Sequence, residues 1–458
     1  MTHRSWVIMA MLAVVASGRA PAQQPDTTQA TDSSAKKKAK AQPFAFADFT
    51  WLNGNSRQTE SVLDTKAFTG EFRADVSYIG DFNHPSDHTL VGSSESGRTS
   101  EIQVQQLGIG GDFHYGNARG RLMTQFGMYS TMTPRNDASP GRGQWDLSDA
   151  YRYLSEASGG YHWDAMHGIN LDAGIFMSYI GLFSYYNYDN WAYQPSYVSS
   201  NTPWFFNGIR VQTFPTDRLK IEYWLINGWQ SYGMFNEAPG VGVQLLWRPN
   251  GAWSLVSNDY VGKDALAIPD RTRIHSDNSI QLKYFDDPQS TLDKAAFSFT
   301  LDVGCETGGG VSCAHDASLA PAQYFLGAML YNRVWFAHDK LAVTIGGGGM
   351  NNPGRYLVLL PPINGATAFT GTPYFTENPG STFKAWDGSA TLDYMPDQFV
   401  TFRAELDHRA ANVPYFAGPD GVTPPNGNVG APGSTVPGWT PDLVKQETRL
   451  NFALLVKM

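Results

Sequence analysis

Residues 68–82 read FTGEFRADVSYIGDF. Phe68, Gly70, Phe72, Ala74, Val76, Tyr78, Gly80 and Phe82 are apolar, aromatic or glycine. Between them stand Thr69, Glu71, Arg73, Asp75, Ser77, Ile79 and Asp81, polar at every position but Ile79. Successive strand side chains point to opposite faces, so one face is greasy and the other carries both signs of charge. Ordinary strands hold about 5–6 residues, whereas this stretch, at about 3.3 Å per residue, would reach about 50 Å. That length suits a tilted strand that crosses a bilayer and projects beyond it. Whether the grease meets a protein core or lipid is settled by the rest of the chain.

The same two-residue period recurs along the sequence, at 102–115, 118–130, 150–163, 169–180, 204–214, 219–227, 241–248 and 252–260. It continues at 278–285, 295–304, 323–336, 341–349, 385–395, 399–410 and 447–458, which brings the count to about sixteen strands. The phase slips near Gln106, as a β-bulge causes. Odd-numbered strands are followed by long segments such as 83–101, 131–149, 181–203, 305–322, 350–384 and 411–446. Even-numbered strands are followed by short connections such as Gly116-Asn117, PTDR at 215–218 and MPDQ at 395–398, rich in turn residues. Long loops alternating with tight turns mark a transmembrane barrel, with the loops outside the cell and the turns in the periplasm.

The faces agree with that reading. In the last strand Leu450, Phe452, Leu454, Val456 and Met458 alternate with Glu447, Arg449, Asn451 and Lys457. Tyr115, Tyr161, Trp163, Tyr179, Trp204, Trp247, Trp253, Trp335 and Tyr394 fall near strand ends, where interfacial girdles belong. The expected fold is all-β: a transmembrane antiparallel up-and-down β-barrel of about 16 strands. Apolar faces would meet lipid and charged faces a wet lumen.

Composition narrows the function classes. Charged residues make up 16% of the chain, and 46 glycines and 13% aromatics accompany them. Soluble domains average about 25% charged residues. No stretch beyond the N-terminus approaches the about 18 apolar residues a spanning helix needs. His3 and Arg4 precede an apolar run from Trp6 to Ala16, and Ala20-Pro21-Ala22 has signal-peptidase form. The expected division is a signal peptide at 1–22, a disordered low-complexity leader at 23–43, a periplasmic arm or plug segment at 44–65, and an outer-membrane barrel at 66–458. Net charge is −9, and the only basic tract is Lys36, Lys37, Lys38 and Lys40, so nucleic acid is not an expected partner. Two cysteines, Cys305 and Cys313, flank a glycine-rich stretch and are expected to pair in an exported protein.

The chain also resembles the β-barrel porin-2, OmpL-like, outer-membrane protein family. The resemblance is carried by FTGEFRADVSYIGDFNHP at 68–85, GGDFHYGNARGRLMTQFGMYSTMTPRNDAS at 110–139, AYRYLSEASGGYHW at 150–163 and GIFMSYIGLFSYYNYDNWAYQPSYVSSNTPWFFNG at 174–208. It extends over most of residues 44–458 and is weaker after about residue 260. It implies an outer-membrane location and a pore, and it carries no catalytic residue over. One departure is the terminal Met458, where outer-membrane barrels commonly end in an aromatic residue.

Around sixteen strands leave an aqueous channel, whereas eight fill their own interior. Alternation assigns to the lumen the bases Arg73, Arg119, Arg121, Lys220, Arg248, Lys283, Arg333, Arg403 and Arg449. It also assigns the acids Glu71, Asp75, Asp172, Glu222, Asp302, Asp393, Glu405, Asp407 and Glu447. These could set a transverse field across the channel, or simply pair across neighbouring strands. Loop 181–203 is dense in aromatics, and Tyr185, Tyr186, Tyr188, Trp191, Tyr193 and Tyr197 are its constriction candidates, with an outer rim or loop–loop packing as the alternative. His275, Ser276 and Asn278 stand close in sequence, but their spacing departs from a catalytic set. The glycines of IGGGGM at 345–350 lack the lysine of a phosphate loop and suggest close packing. No catalytic, metal or cofactor site is expected.

The function expected is passive diffusion of small hydrophilic solutes through an outer-membrane porin. The alternative is a plugged barrel whose long loops, above all 411–446, bind partners or mediate adhesion. Expected partners are outer-membrane lipid and small solutes. A homotrimer is the association that analogy with sixteen-stranded porins suggests.

Overall fold

The computed structural model describes residues 42–93, 95–314, 322–354, 383–425 and 438–458. The expected signal peptide and nearly all of the leader lie outside the described residues, as does the middle of loop 411–446. Strands run in chain order as β1 (Phe68–Asp81), β2 (Ile102–Tyr115), β3 (Ala118–Thr124), β4 (Leu154–Trp163), β5 (Ile169–Met177) and β6 (Phe205–Thr216). There follow β7 (Leu219–Ile226), β8 (Gly240–Trp247), β9 (Trp253–Gly262), β10 (Thr272–Asp286), β11 (Leu292–Thr307) and β12 (Tyr324–Phe336). The last are β13 (Leu341–Asn352), β14 (Phe383–Tyr394), β15 (Val400–Ala411), the two-residue ribbon β16 (Phe416–Ala417) with β17 (Leu443–Val444), and β18 (Gln446–Lys457).

Each of β1 to β15 pairs antiparallel with its neighbour, and β18 pairs with both β15 and β1 to close a sixteen-stranded barrel. Closure leaves no strand edge unpaired, which a bilayer without hydrogen-bonding solvent demands. The seam sets Arg73 opposite Lys457, Asp75 opposite Leu455 and Ser77 opposite Ala453. The phase slip is a bulge: Asp75 faces Gln106 while the adjacent Val76 faces Val104, so Gln105 is the extra residue.

Two expected strands are shorter than their pattern. The stretch 118–130 leaves the sheet at Thr124, where the register against β4 shifts. Gly127 then turns at φ 103°, and a Cβ there would sit 2.4 Å from the Val104 carbonyl oxygen. A helical turn, Tyr129–Met132, follows. The stretch 150–163 begins as a helix, Leu147–Tyr151, whose Asp146 cap accepts from the Ser148 amide at 2.9 Å. Cap chemistry overrides strand alternation there.

The burial pattern is inverted relative to a soluble domain. On β1, Arg73, Asp75, Ser77 and Asp81 are buried while Tyr78 stays exposed. Polar rows face the interior and apolar rows the outside, as a barrel in lipid requires. Six of the girdle aromatics (Tyr115, Tyr161, Trp163, Trp247, Trp253 and Tyr394) are exposed on the outer face. Tyr179, Trp204 and Trp335 are instead buried. Trp335 shares the inward row of β12 with Tyr331 and Arg333, and Tyr179 and Trp204 bracket a loop that turns inward.

Candidate functional site

The interior is occupied by two pieces of chain. The first is the segment after β5, residues 178–203, which folds into the barrel instead of standing above it. Tyr185, Tyr186, Tyr188, Trp191, Tyr193 and Tyr197 are all buried there. Burial holds the hydroxyls of Tyr185, Tyr186, Tyr193 and Tyr197 well above their ordinary pKa, and those of Tyr185, Tyr186 and Tyr193 serve as neutral hydrogen-bond donors to Gln125, Glu156 and Asp75. The outer-rim alternative for these rings does not hold.

Wall residues grip this loop with matched chemistry. Glu405 accepts from the amides of Tyr193 and Gln194 at 2.5 and 2.8 Å. Asp387 accepts from the Tyr197 amide at 2.9 Å and from Ser196 Oγ at 2.7 Å. Asp75 accepts from Tyr193 Oη and Asn187 Nδ2, each at 2.9 Å. In the opposite sense, Arg403 donates to the carbonyls of Asn187, Asn190 and Ala192, and Arg409 donates to that of Pro195. Arg449 reaches back to the Val91 carbonyl of the first long loop at 2.8 Å. A loop pushed into an interior carries backbone groups that need partners, and these charged side chains supply them.

Glycines make room for it. A Cβ on Gly348 would lie 2.4 Å from Ser196 Oγ, and one on Gly346 would strike the Tyr331 ring at 2.1 Å. A Cβ on Gly327 would meet Val198 at 3.0 Å. The IGGGGM run is thus a dent in the wall of β13 beneath the inserted loop.

The second piece is residues 42–58, which enter from the short-turn end, while 59–65 are exposed. Trp51 is buried, and its Nε1 donates to the Gly251 carbonyl at 3.1 Å. The Asn53 amide donates to Gln281 Oε1 at 2.8 Å, and Asn53 Oδ1 accepts from the Trp191 amide at 2.9 Å. Trp191 Nε1 donates to the Trp51 carbonyl, which joins the two pieces directly. Arg248 stacks over Phe44 and Phe49 with its Cζ 4.9 and 4.5 Å from the ring centroids. Burial lowers that guanidinium to about 10.

The charged residues assigned to the lumen by alternation stand on inward rows or at their ends, and most are paired locally. Arg73 meets Glu71 and Asp189. Arg121 meets Glu71, Asp112 and Glu156 within 3.0 Å. Arg119 and Arg210 share Asp172, and Lys220 meets Glu222 at 2.6 Å. Arg333 and Arg403 share Asp393, Arg409 meets Asp407, and Arg449 meets Glu447. Asp302 faces His275 at 2.6 Å, and Lys283 meets Asp286 at the end of β10. The walls therefore carry short-range ion pairs in place of one acidic and one basic side.

Sequence reading missed several partners: Arg57, Asp387, Arg409 and Asp189. Asp387 and Arg409 obey the same alternation and could have been found by it; Arg57 and Asp189 lie outside any strand and carry no periodic signal. His275 faces inward, while Ser276 and Asn278 face outward, so these three cannot form one catalytic set. Cys305 and Cys313 form a disulfide.

Between the two inserted pieces and the walls of β11, β12, β14 and β15 lies a cavity of about 400 Å³ at the short-turn end. Its sides include Trp51 and Arg57 from residues 42–58, Tyr188 and Trp191 from the loop, and Arg333 and Arg403 from the wall.

No curated protein matches the sequence. Among solved structures, an anion-selective porin from Comamonas acidovorans is similar at 10% identity, over 86% of this chain and 99% of that one, with a TM-score of 0.48. The outer membrane channel DcaP of Acinetobacter baumannii is similar at 12% identity, over 88% and 100%, with a TM-score of 0.47. OprB of Pseudomonas putida is similar at 11% identity, over 85% and 94%, also at 0.47. The family described as "Putative beta-barrel porin-2, OmpL-like" matches residues 71–431; the chain belongs to that family, and is an outer-membrane diffusion channel, not an enzyme.

Proposed function

We propose that small hydrophilic solutes pass through this barrel along the wall formed by β3 to β7, with loop 178–203 setting the width. The observation that carries this reading is where the lumen charges keep contact with solvent. Arg119, Arg121, Arg210 and Lys220 retain 37, 22, 20 and 17% of their side-chain exposure. Their partners Asp172 and Glu222 retain only 4 and 3%. Of the acids that meet Arg121, Glu71 and Glu156 retain 13 and 15% and Asp112 retains 55%, so every base on this wall but one lies outward of all its acids, the exception being Arg121 beside Asp112. Such a wall favours anions over cations. On this reading the buried part of segment 44–65 acts as a plug that narrows the periplasmic mouth, and residues 1–22 leave as a signal peptide.

Reversal potentials in planar bilayers under a KCl gradient test the selectivity, and conductance tests the width. Deletion of 185–200 is expected to enlarge the single-channel step; an unchanged step would remove the loop as the constriction. Mass analysis of the mature N-terminus checks for cleavage after Ala22.

A homotrimer has its own support on the outer face. Asp259 is exposed on the outward row of β9, beside Ser257, and pairs in register with Ser276 of β10, next to Asn278. Ser257 Oγ donates to Asn278 Oδ1 at 2.7 Å, and Asn278 Nδ2 donates to Ser276 Oγ at 2.9 Å. Val243 stands opposite Asp259, Leu301 opposite Asn278 and Val303 opposite Ser276, so the polar group has apolar neighbours on both sides, and acyl chains cannot satisfy it. A second copy can. Cross-linking through cysteine at position 257 in native membranes should yield oligomers, and a monomer only would exclude this contact.

A further inference from the structure

We propose that the cavity at the short-turn end is a binding site for a small organic carboxylate, held by Arg57 together with Arg333, with the Arg403 guanidinium adding positive charge beside them. The inference deepens the channel reading and rests on it only for the route by which the ligand arrives.

The cavity's acids are already engaged. Asp393 lies between Arg333 and Arg403, Asp339 meets Lys294 at 2.6 Å, and Asp189 meets Arg73. Asp48 accepts from the Thr50 amide, and Asp397 from the amides of Phe399 and Val400. The cations are not balanced in the same way. Two guanidinium groups share the single carboxylate of Asp393. Arg57 has no carboxylate within ion-pair distance among the described residues: its Nη atoms donate to the carbonyls of Asp397 and Val400 and to Thr401 Oγ1.

Two donors remain unused. Arg57 Nε and Arg333 Nε are both buried without a hydrogen-bond partner, although Arg333 as a whole is only 4% exposed. Buried donors left unpaired are costly, and a carboxylate accepts from guanidinium forks in the geometry that suits them best. The volume of about 400 Å³ falls within the range of small-molecule sites. Trp51, Trp191 and Trp335 line it and supply an apolar flank for a carbon skeleton.

Succinate and erythritol, which have the same number of carbon and oxygen atoms, make a matched charged and neutral pair of probes. Titrated into detergent-purified protein, succinate is expected to change tryptophan fluorescence saturably, more weakly as KCl is raised, and erythritol is not. Arg57→Gln keeps an amide that can donate to the Val400 carbonyl but loses the charge, and should weaken succinate at least fivefold; Arg57→Lys should retain most of the binding. In the unaltered chain, succinate should protect Arg57 from phenylglyoxal as mapped by mass spectrometry. Equal response to erythritol, no protection of Arg57, or undiminished binding in Arg57→Gln would overturn the site. The channel reading fails separately, if the same protein binds succinate but shows no conductance. A conducting channel that ignores succinate leaves the channel standing and removes the site.

Discussion

Arg403 Nη2 donates to the carbonyl of Asn190 at 2.6 Å while the same guanidinium pairs with both oxygens of Asp393 at 2.7 and 2.9 Å. One wall side chain thus joins the barrel to the loop that fills it. Replacing it by Met would leave the carbonyls of Asn187, Asn190 and Ala192 without this donor and Asp393 with Arg333 alone. Breaking a buried pair from one side costs about 3–5 kcal/mol. Arg403→Met should lower the melting temperature and raise single-channel conductance together; loss of stability with unchanged conductance would show that Arg403 does not position the loop.

Trp51 anchors residues 42–58 in the short-turn end through burial of its ring and its bond to the Gly251 carbonyl. Truncating a buried aromatic costs about 3–5 kcal/mol where the site cannot collapse. In Trp51→Ala that cost falls on the inserted segment more than on the strand ladder. Trypsin should therefore cut the chain near Arg57 faster, with the barrel core still protected.

Gly348 is the one position where the wall gives way to Ser196. Gly348→Val would drive side-chain atoms into Ser196 Oγ at 2.4 Å and into the Ala328 carbonyl at 2.8 Å. Overpacking costs about 1–3 kcal/mol. The expected result is displacement of the 196–198 stretch, read as faster amide exchange at Tyr197 and Val198, which are fully buried in the native chain.

Asp87 ties the first long loop to the last one. Its Oδ2 accepts from the amides of Val422 and Thr423 and from Thr423 Oγ1. Burial pushes this carboxyl upward, but the bonds from Thr423, Val422 and Thr89 outweigh it and hold it below its ordinary 3.8. A carboxyl whose folded pKa is depressed stabilises the folded form above its unfolded pKa, and that contribution is lost as pH falls through the folded value. The tie should therefore be constant from pH 8 to about pH 5 and release only in strong acid, below the ordinary carboxylate range. Pepsin cleavage within 418–425, compared at pH 4 and pH 2, checks the sign; Asp87→Asn should already be cut at pH 4.

The disulfide closes a loop with a sequence separation of 8 between Cys305 and Cys313. Restricting the unfolded chain over so short a loop stabilises by about 2–3 kcal/mol. Reduction should lower the melting temperature by a few degrees at most for a chain of this length, and should leave conductance unchanged, because Cys313 lies beyond the end of β11.

The period of two was enough to locate every barrel strand, because a strand wet on one side and greasy on the other must alternate wherever it crosses. It erred where a local signal competed: Gly127 broke the third strand early, and the Asp146 cap made a helix of residues that alternate well enough for a strand. Trp335 was misplaced for a different reason. Period two assigns a face relative to neighbours on the same strand, and the inward row that Trp335 shares with Arg333 overrides its nearness to a strand end.

Alternation, turn chemistry and loop lengths are local properties, so the sequence by itself determined the barrel, a strand number of about sixteen and the wet and greasy rows of its strands. What fills that barrel was beyond its reach. The burial of Trp51 against a turn 200 residues away, and of Pro195 against Arg409 across 214 residues, depends on contacts that no periodicity records. Only the tertiary structure decides which charges pair, which remain wet and which, like Arg57, are left without a carboxylate, because that outcome depends on where an aperiodic loop comes to rest against a periodic wall.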